Sequence, residues 1–427
     1  MRVFIAFLVS AASAAVLPSA RSEAVGGLPL EQFGSVHSIT LEDAINFIDL
    51  LGTNFTLLPI SSIEDKIEDL FEGKLAGLGD SKEEEEPKKQ FSATKVASAD
   101  GDKADGQSEE EQPKKQFSSN KLASSNNTSS AKNECSNPNV RVEWDDFSES
   151  DKKAFVDAIQ CLVERPASGN FSPAQNRYED FVRLHQSYSP NIHSKSTTQQ
   201  THKFLLWHRY YVWAFEQALR DECGFDRAFP WWDEKKWAGK FAESTIFTKE
   251  YFGTLPNATN GAGTCVSDGV FAGMQVSLGP AMTVDYPHCL QRAVDETVTS
   301  QVGQSSWDTC YSRTSYPDFH SCVEFTFHAN GHNGVGATMA DAIASPGDPT
   351  FFMHHLYIDY ALRQWQLADT KRTTTISGCA DNANCTPLTL DTVIYMGKIC
   401  GEEKCPDLPV RDVINTVDGH FCYQYNY

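Results

Sequence analysis

Twelve histidines punctuate the chain. Most fall in two groups: His185, His193, His202 and His208, then His320, His328, His332, His354 and His355. Imidazole is the side chain that most often ligates transition metals, and it changes charge near neutral pH. His328 and His332 stand four apart in the stretch FHANGH. On a helix that spacing puts both rings on one face, within reach of one metal ion. No glutamate follows His328, so this is not the HExxH helix of zinc proteases. Alone, the spacing specifies little. It gains weight from the other histidines that neighbouring helices would bring into apolar surroundings.

Those helices can be read from their patterns. Asp348-Pro349 is a natural helix start, and it precedes TFFMHHLYIDYALRQWQ, which carries His354 and His355. Adjacent helical residues point about 100° apart, so only one of the two can easily face a given metal. Asp359 lies four residues past His355, placed to orient a ligand or to pair with an arginine. Phe204 opens a strongly apolar helix, FLLWHRYYVWAFEQAL, in which His208 sits beside Arg209. Burying such a pair is costly without partners. His185 lies in another short helical pattern, and Ser148 is placed to cap a helix whose face is Ala154, Phe155, Ala158, Ile159 and Leu162. Trp231-Trp232-Asp233 is expected to pack at a helix end. Residues 225–325, rich in Gly, Pro, Asp and Thr, read as loops over the helical scaffold. Glu324, four before His328, is a candidate carboxylate or proton acceptor beside the centre, and with Asp359 it completes the candidate catalytic residues.

The rest of the chain sets the context. A net charge of −21 argues against nucleic acid and anionic membrane surfaces as partners. Residues 1–20 read as a secretory signal: Arg2, an apolar run from Val3 to Val9, then small residues. No later run reaches the roughly 18 apolar residues of a membrane span. Residues 21–71 hold partly helical patterns at 41–51 and 63–71. Residues 72–133 are a low-complexity linker containing a duplication, EEEEPKKQFSATKVAS at 83–98 and EEEQPKKQFSSNKLAS at 109–124. Residues 134–427 form the globular part. Its twelve cysteines are expected in disulfides of unspecified connectivity, as befits an oxidising compartment. Sequons begin at Asn54, Asn126, Asn127, Asn170, Asn257 and Asn384. Nothing here specifies an oligomeric state.

From about residue 138 onward the sequence resembles the tyrosinase, catechol oxidase and molluscan-haemocyanin superfamily of type-3 copper proteins. FLLWHRYYVWAFEQALRDECG resembles its first copper motif, and HANGH with DPTFFMHHLYIDYALRQWQ its second. VRVEW at 140–144 resembles the start of the core domain, and Tyr423-Gln424-Tyr425 the Tyr-x-Tyr motif that closes it. The resemblance implies a mainly α fold: a four-helix bundle holding a dicopper centre, with long disulfide-linked loops and few short strands. It implies two copper ions per chain, with dioxygen as co-substrate and a small phenolic substrate. The first copper would be held by His185, His193 and His208, and the second by His328, His332 and His355. His354 remains a structural neighbour, and His202 is the rival to His193.

Some relatives tether the second ligand through a cysteine two residues earlier, which Asn191 and Gln200 exclude here. Some tyrosinases carry asparagine just after the first ligand of the second copper, where it helps deprotonate a monophenol. This chain has Ala329 there. Phe351, Phe352 and Met353 would wall the pocket. The resulting expectation is a secreted oxidase turning o-diphenols into o-quinones. Two alternatives stay open: hydroxylation of a monophenol metabolite or peptide, and dioxygen or copper binding without turnover. A dinuclear zinc hydrolase is disfavoured by the lack of bridging carboxylates near these histidines.

Overall fold

The structure is a computed structural model, and it describes residues 27–38 and 135–426. The signal, the helical patterns at 41–51 and 63–71 and the duplicated segment lie outside the described residues.

The helices form where capping and periodicity place them. Helix α1 (Glu149–Glu164) starts at Ser148, whose side chain accepts from the Asp151 N–H. It buries Phe155, Val156, Ala158, Ile159 and Leu162. Helix α2 (Arg177–Ile192) begins at Asn176, which caps Glu179. Helix α3 (Phe204–Cys223) is almost wholly buried and ends at Gly224, where a left-handed φ of 67° closes the last turn. Helix α4 (Tyr316–Val323) runs through a π-helical turn, Glu324–His328, into α5 (Ala329–Val335). Helix α6 (Thr350–Leu367) starts after Asp348, whose carboxylate accepts from the Thr350 N–H and pairs with both Nε and Nη2 of Arg292.

Helices α2, α3, α4–α5 and α6 make the expected four-helix bundle, and α1 packs on α2 and α3. The strands are few and short. The largest sheet has three parallel strands: β1 (Asn139–Glu143) between β2 (Phe229–Trp231) and β5 (Tyr423–Tyr425). An antiparallel hairpin, β3 (Gln275–Leu278) with β4 (Val284–Cys289), lies in the long loop region. The sheet corrects one expectation. Trp231 is a strand residue paired with Glu143, not a helix-end contact, and its ring stacks on Tyr360 at 4.1 Å between centroids.

All twelve cysteines pair: Cys135–Cys422, Cys161–Cys223, Cys265–Cys289, Cys310–Cys322, Cys379–Cys385 and Cys400–Cys405. The first joins the two ends of the core domain beside β1 and β5. The others staple loops that have little regular structure to hold them. No described helix is long and apolar enough to cross a membrane.

Residues 27–38 lie on this core as a strap. Leu28 and Phe33 bury themselves against Ala293 and Ala337. The Leu30 N–H donates to the Gly261 carbonyl. Val36 exchanges two hydrogen bonds with the side chain of Asn333, accepting from Nδ2 at 2.8 Å and donating to Oδ1 at 2.9 Å.

At the centre of the bundle sits a buried ionic network. Asp359 accepts from Arg209 Nε (2.6 Å), Arg141 Nη1 (3.1 Å), Tyr423 Oη (2.5 Å) and Tyr425 Oη (2.7 Å). Arg141 also donates to Glu216 at 3.0 Å. Burial pushes the Asp359 carboxyl up, but the two guanidiniums more than offset it and hold it below its ordinary value. Its oxygens are engaged by these four donors, so Asp359 ties helices and strand together through the arginine pairing that its place after His355 allowed. Removing it strands two buried guanidiniums. Asp359→Ala should therefore cost about 3–5 kcal/mol in denaturant unfolding of the metal-free protein. A cost under about 1 kcal/mol, the range of a surface pair, would contradict this reading.

Candidate metal centre

Seven of the histidines singled out above converge in the bundle. Helix α2 contributes His185 from its interior and His193 at its C-terminal cap, and α3 contributes His208. A ring nitrogen from each lies within 4.8 Å of the others. The second cluster comes from the π-turn, α5 and α6. It contains His328, His332, His354 and His355, again with ligand atoms within 4.8 Å of one another. The π-turn widens the helix at His328, a distortion that recurs at functional sites. The two clusters abut: the rings of His208 and His355 stack at 4.1 Å, and those of His193 and His328 lie 6.2 Å apart.

Hydrogen bonds set the tautomers. Nδ1 of His185 meets the Ile343 carbonyl (2.8 Å), His208 that of Phe204 (3.0 Å), His328 that of Glu324 (3.0 Å) and His332 that of Met339 (2.7 Å). A carbonyl only accepts, so each Nδ1 carries the proton and each Nε2 is left with a lone pair. His193 Nδ1 is held likewise by the Ser189 carbonyl and hydroxyl, at 3.2 and 3.0 Å. Burial holds these rings below the ordinary imidazole value, His193 to about 4, so they are neutral.

Neutral lone pairs then face one another. Nε2 of His185 is 3.3 Å from Nε2 of His208, both of them acceptors, and Nε2 of His332 is 3.1 Å from Nε2 of His355, whose Nδ1 has no protein partner to fix its tautomer. Nε2 of His328 has no protein partner. Facing acceptors repel unless a cation lies among them. The donor set is therefore complete only with metal, and all-imidazole donors suit copper.

Two phenylalanines close the space. Phe204 lies 4.4 Å from His328 and 4.5 Å from His208, and Phe351 lies 4.1 Å from His355 and 5.2 Å from His185, all between ring centroids. Phe352 departs from expectation. One helical step on from Phe351, it turns away from the histidines and stacks on Phe215 at 3.5 Å. Met353 is buried.

The remaining candidates find other work. His202 is not with the first cluster. Its ring faces His320 at 4.9 Å, and its Nδ1 accepts from the Cys379 N–H. Glu324 is buried, and burial pushes its carboxyl up to about 8. Its Oε1 accepts from the Ser194 N–H (2.8 Å) and its Oε2 from the Ser194 hydroxyl (2.7 Å). It thus holds the loop after His193. His354 Nδ1 is 2.7 Å from Glu234 Oε1. Its ring is so close to Gly331 that a Cβ there would lie 2.5 Å from Cε1. Glu234, Ser194 and Asn382, which bonds the carbonyl of His193, were not anticipated. Glu234 is 120 positions from His354, and no local pattern announces such a pair.

Comparisons with known proteins agree with this geometry. A family model, the common central domain of tyrosinase, matches residues 175–368. Tyrosinase ustQ of Aspergillus flavus is 31% identical over 305 residues, covering 68% of this chain and 80% of that protein. Tyrosinase P of Aspergillus terreus is 29% identical over 341 residues, covering 68% and 93%. N-acetyl-6-hydroxytryptophan oxidase ivoB of Emericella nidulans is 27% identical over 349 residues, covering 68% and 92%. Among solved structures, a polyphenol oxidase of Thermothelomyces thermophila superposes with a TM-score of 0.59 at 25% identity, over 68% of this chain and 89% of that one. The chain belongs to the tyrosinase family of copper oxidoreductases, which bind two copper ions and act with dioxygen.

Proposed function

We propose that this chain is a secreted oxidase that converts o-diphenols to o-quinones. One copper is held by His185, His193 and His208 and the other by His328, His332 and His355. The observation that carries the reading is the pair of abutting histidine clusters, in which Nε2 faces Nε2 at 3.3 Å in the first and 3.1 Å in the second. Bound copper supplies one-electron steps between two oxidation states, so a pair can pass two electrons from a diphenol to dioxygen. Each diphenol gives up two electrons and two protons, and two turnovers reduce one dioxygen to two waters. The chain's own residues supply position: backbone carbonyls fix the ring tautomers, and Phe204 and Phe351 exclude water from the centre.

The diphenol preference rests on what adjoins His328. The next residue is Ala329, fully buried, with no polar group to accept a phenol proton. Both Glu324 oxygens are engaged by Ser194. A second reading, hydroxylation of a monophenol metabolite, is favoured by the relatives named as tyrosinases and as a hydroxytryptophan oxidase. Secretion is supported by the signal-like residues 1–20, by the pairing of every cysteine and by the exposed sequon residues Asn170, Asn257 and Asn384. Residues 134–427 are the copper domain in this reading, with 21–71 and the 72–133 linker as appendages.

Two outcomes are expected. His193→Ala should lower bound copper from two per chain to one by metal analysis, while His202→Ala keeps two; the reverse pattern would hand the ligand role to His202. Purified protein should oxidise catechol at once and leave tyramine untouched when no catechol is added. Prompt oxidation of tyramine alone would replace the diphenol reading with the monophenol one.

A further inference from the structure

Five of the six proposed ligands sit inside helices, where the backbone ladder and the packed bundle hold them. His193 does not. It is the C-terminal cap of α2, it is half-buried, and the polar stretch 194–201 follows it. Helix ends leave carbonyls without intrahelical partners, and they fray unless something outside the helix satisfies them.

Here a distant loop does so. The Asn382 side chain is buried, and its Nδ2 donates to the carbonyl of Pro190 (3.0 Å) and to the carbonyl of His193 itself (3.1 Å). Asn382 sits inside the small loop closed by the Cys379–Cys385 disulfide. The Asp381 carboxylate stiffens that loop further, accepting from the N–H groups of Ala383 (3.0 Å), Asn384 (2.6 Å) and Thr386 (3.1 Å). The same loop grips the far end of the polar stretch. The Cys379 carbonyl accepts from the His202 N–H at 2.7 Å, and the Cys379 N–H donates to His202 Nδ1 at 2.9 Å. Both ends of the segment 193–202 are therefore fastened to one disulfide-closed loop. Glu324 fastens it a third time through Ser194.

We propose that the Cys379–Cys385 loop is a latch for the first copper, with Asn382 the positioning residue that keeps His193 on its metal. The proposal rests on His193 being a ligand of that copper. His202 acquires a purpose in this arrangement: it is the anchor point of the latch and needs no metal. Partners that orient a metal ligand typically contribute 10–100-fold in metal affinity, and a ligand at a helix end has little else to hold it.

The test compares Asn382→Ala, Asn382→Asp and the double variant Cys379→Ser/Cys385→Ser with His193→Ala. Copper per chain is measured across a chelator titration, alongside thermal unfolding of the metal-free proteins. Asn382→Asp keeps the shape of the side chain and removes its donor, so it separates positioning from packing. The expected result is that one of two coppers is released at about 10–100-fold lower chelator concentration in all three latch variants, with metal-free unfolding within a few degrees of the parent. If Asn382→Ala and Asn382→Asp hold both coppers as the parent does, while His193→Ala loses one, there is no latch. Copper loss accompanied by a large drop in metal-free stability would mean a general folding role, and would also overturn it. If His193→Ala itself keeps two coppers, the ligand assignment falls first, and the latch with it.

Discussion

The Arg209–Asp359 ion pair is the interaction on which the centre depends. Arg209 follows His208 on α3, and Asp359 lies one turn beyond His355 on α6, so the pair joins the helices that bear one proposed ligand of each copper. Charges buried this deeply are favourable only when most of their lone pairs and protons are answered. Here Arg141, Tyr423 and Tyr425 answer the second carboxylate oxygen, and the Ile414 carbonyl takes an N–H of Arg209. The network thereby reaches β1 and β5, the first and last strands of the core. A shift of α3 against α6 would break it, so the stacking of His208 on His355 is set by a contact outside the metal site.

The metal site follows a different rule. In five of its six proposed ligands the polar atoms are left incomplete on one side of the ring and satisfied on the other; His355 is the exception, its Nδ1 having no protein partner. Carbonyls hold these Nδ1 protons, burial keeps the rings neutral, and the Nε2 lone pairs of His185 and His208 point at one another without relief. Preorganisation of this kind stores unfavourable contacts in the metal-free protein and returns them as affinity when a cation arrives. It requires rigid surroundings, and two phenylalanines and the close approach of Gly331 to His354 supply them.

Much of this was legible in the sequence, for physical reasons. Helical periodicity and caps exposed α1, α3 and α6. The i,i+4 spacing exposed His328 and His332, and the motif around His208 exposed the first cluster. These are local signals. What stayed hidden was non-local. Trp231 joined a sheet whose partner strand is nearly ninety positions earlier. That Asp359 could pair with an arginine was legible, but not that its partners would be Arg141 on β1 and Arg209 on α3. Glu324 found Ser194, and Asn382 found His193, across loops whose course depends on disulfides that spacing does not specify. The preference for His193 over His202 comes from the resemblance, and the structure places the His193 ring against His185 and the His202 ring against His320 on α4.

The strap of residues 27–38 has a consequence of its own. It is joined to the core domain by the chain of residues 39–134, so its contact with Asn333, beside His332, is intramolecular. A tethered segment meets its site at an effective concentration set by the length of the tether, whatever the concentration of the protein. A single cut anywhere in that tether would leave every bond of the strap in place at first. It would, however, change the strap from a part of the molecule into a ligand of it, subject to dilution and to exchange. The segment beside the second histidine cluster would then leave in dilute solution and stay in concentrated solution.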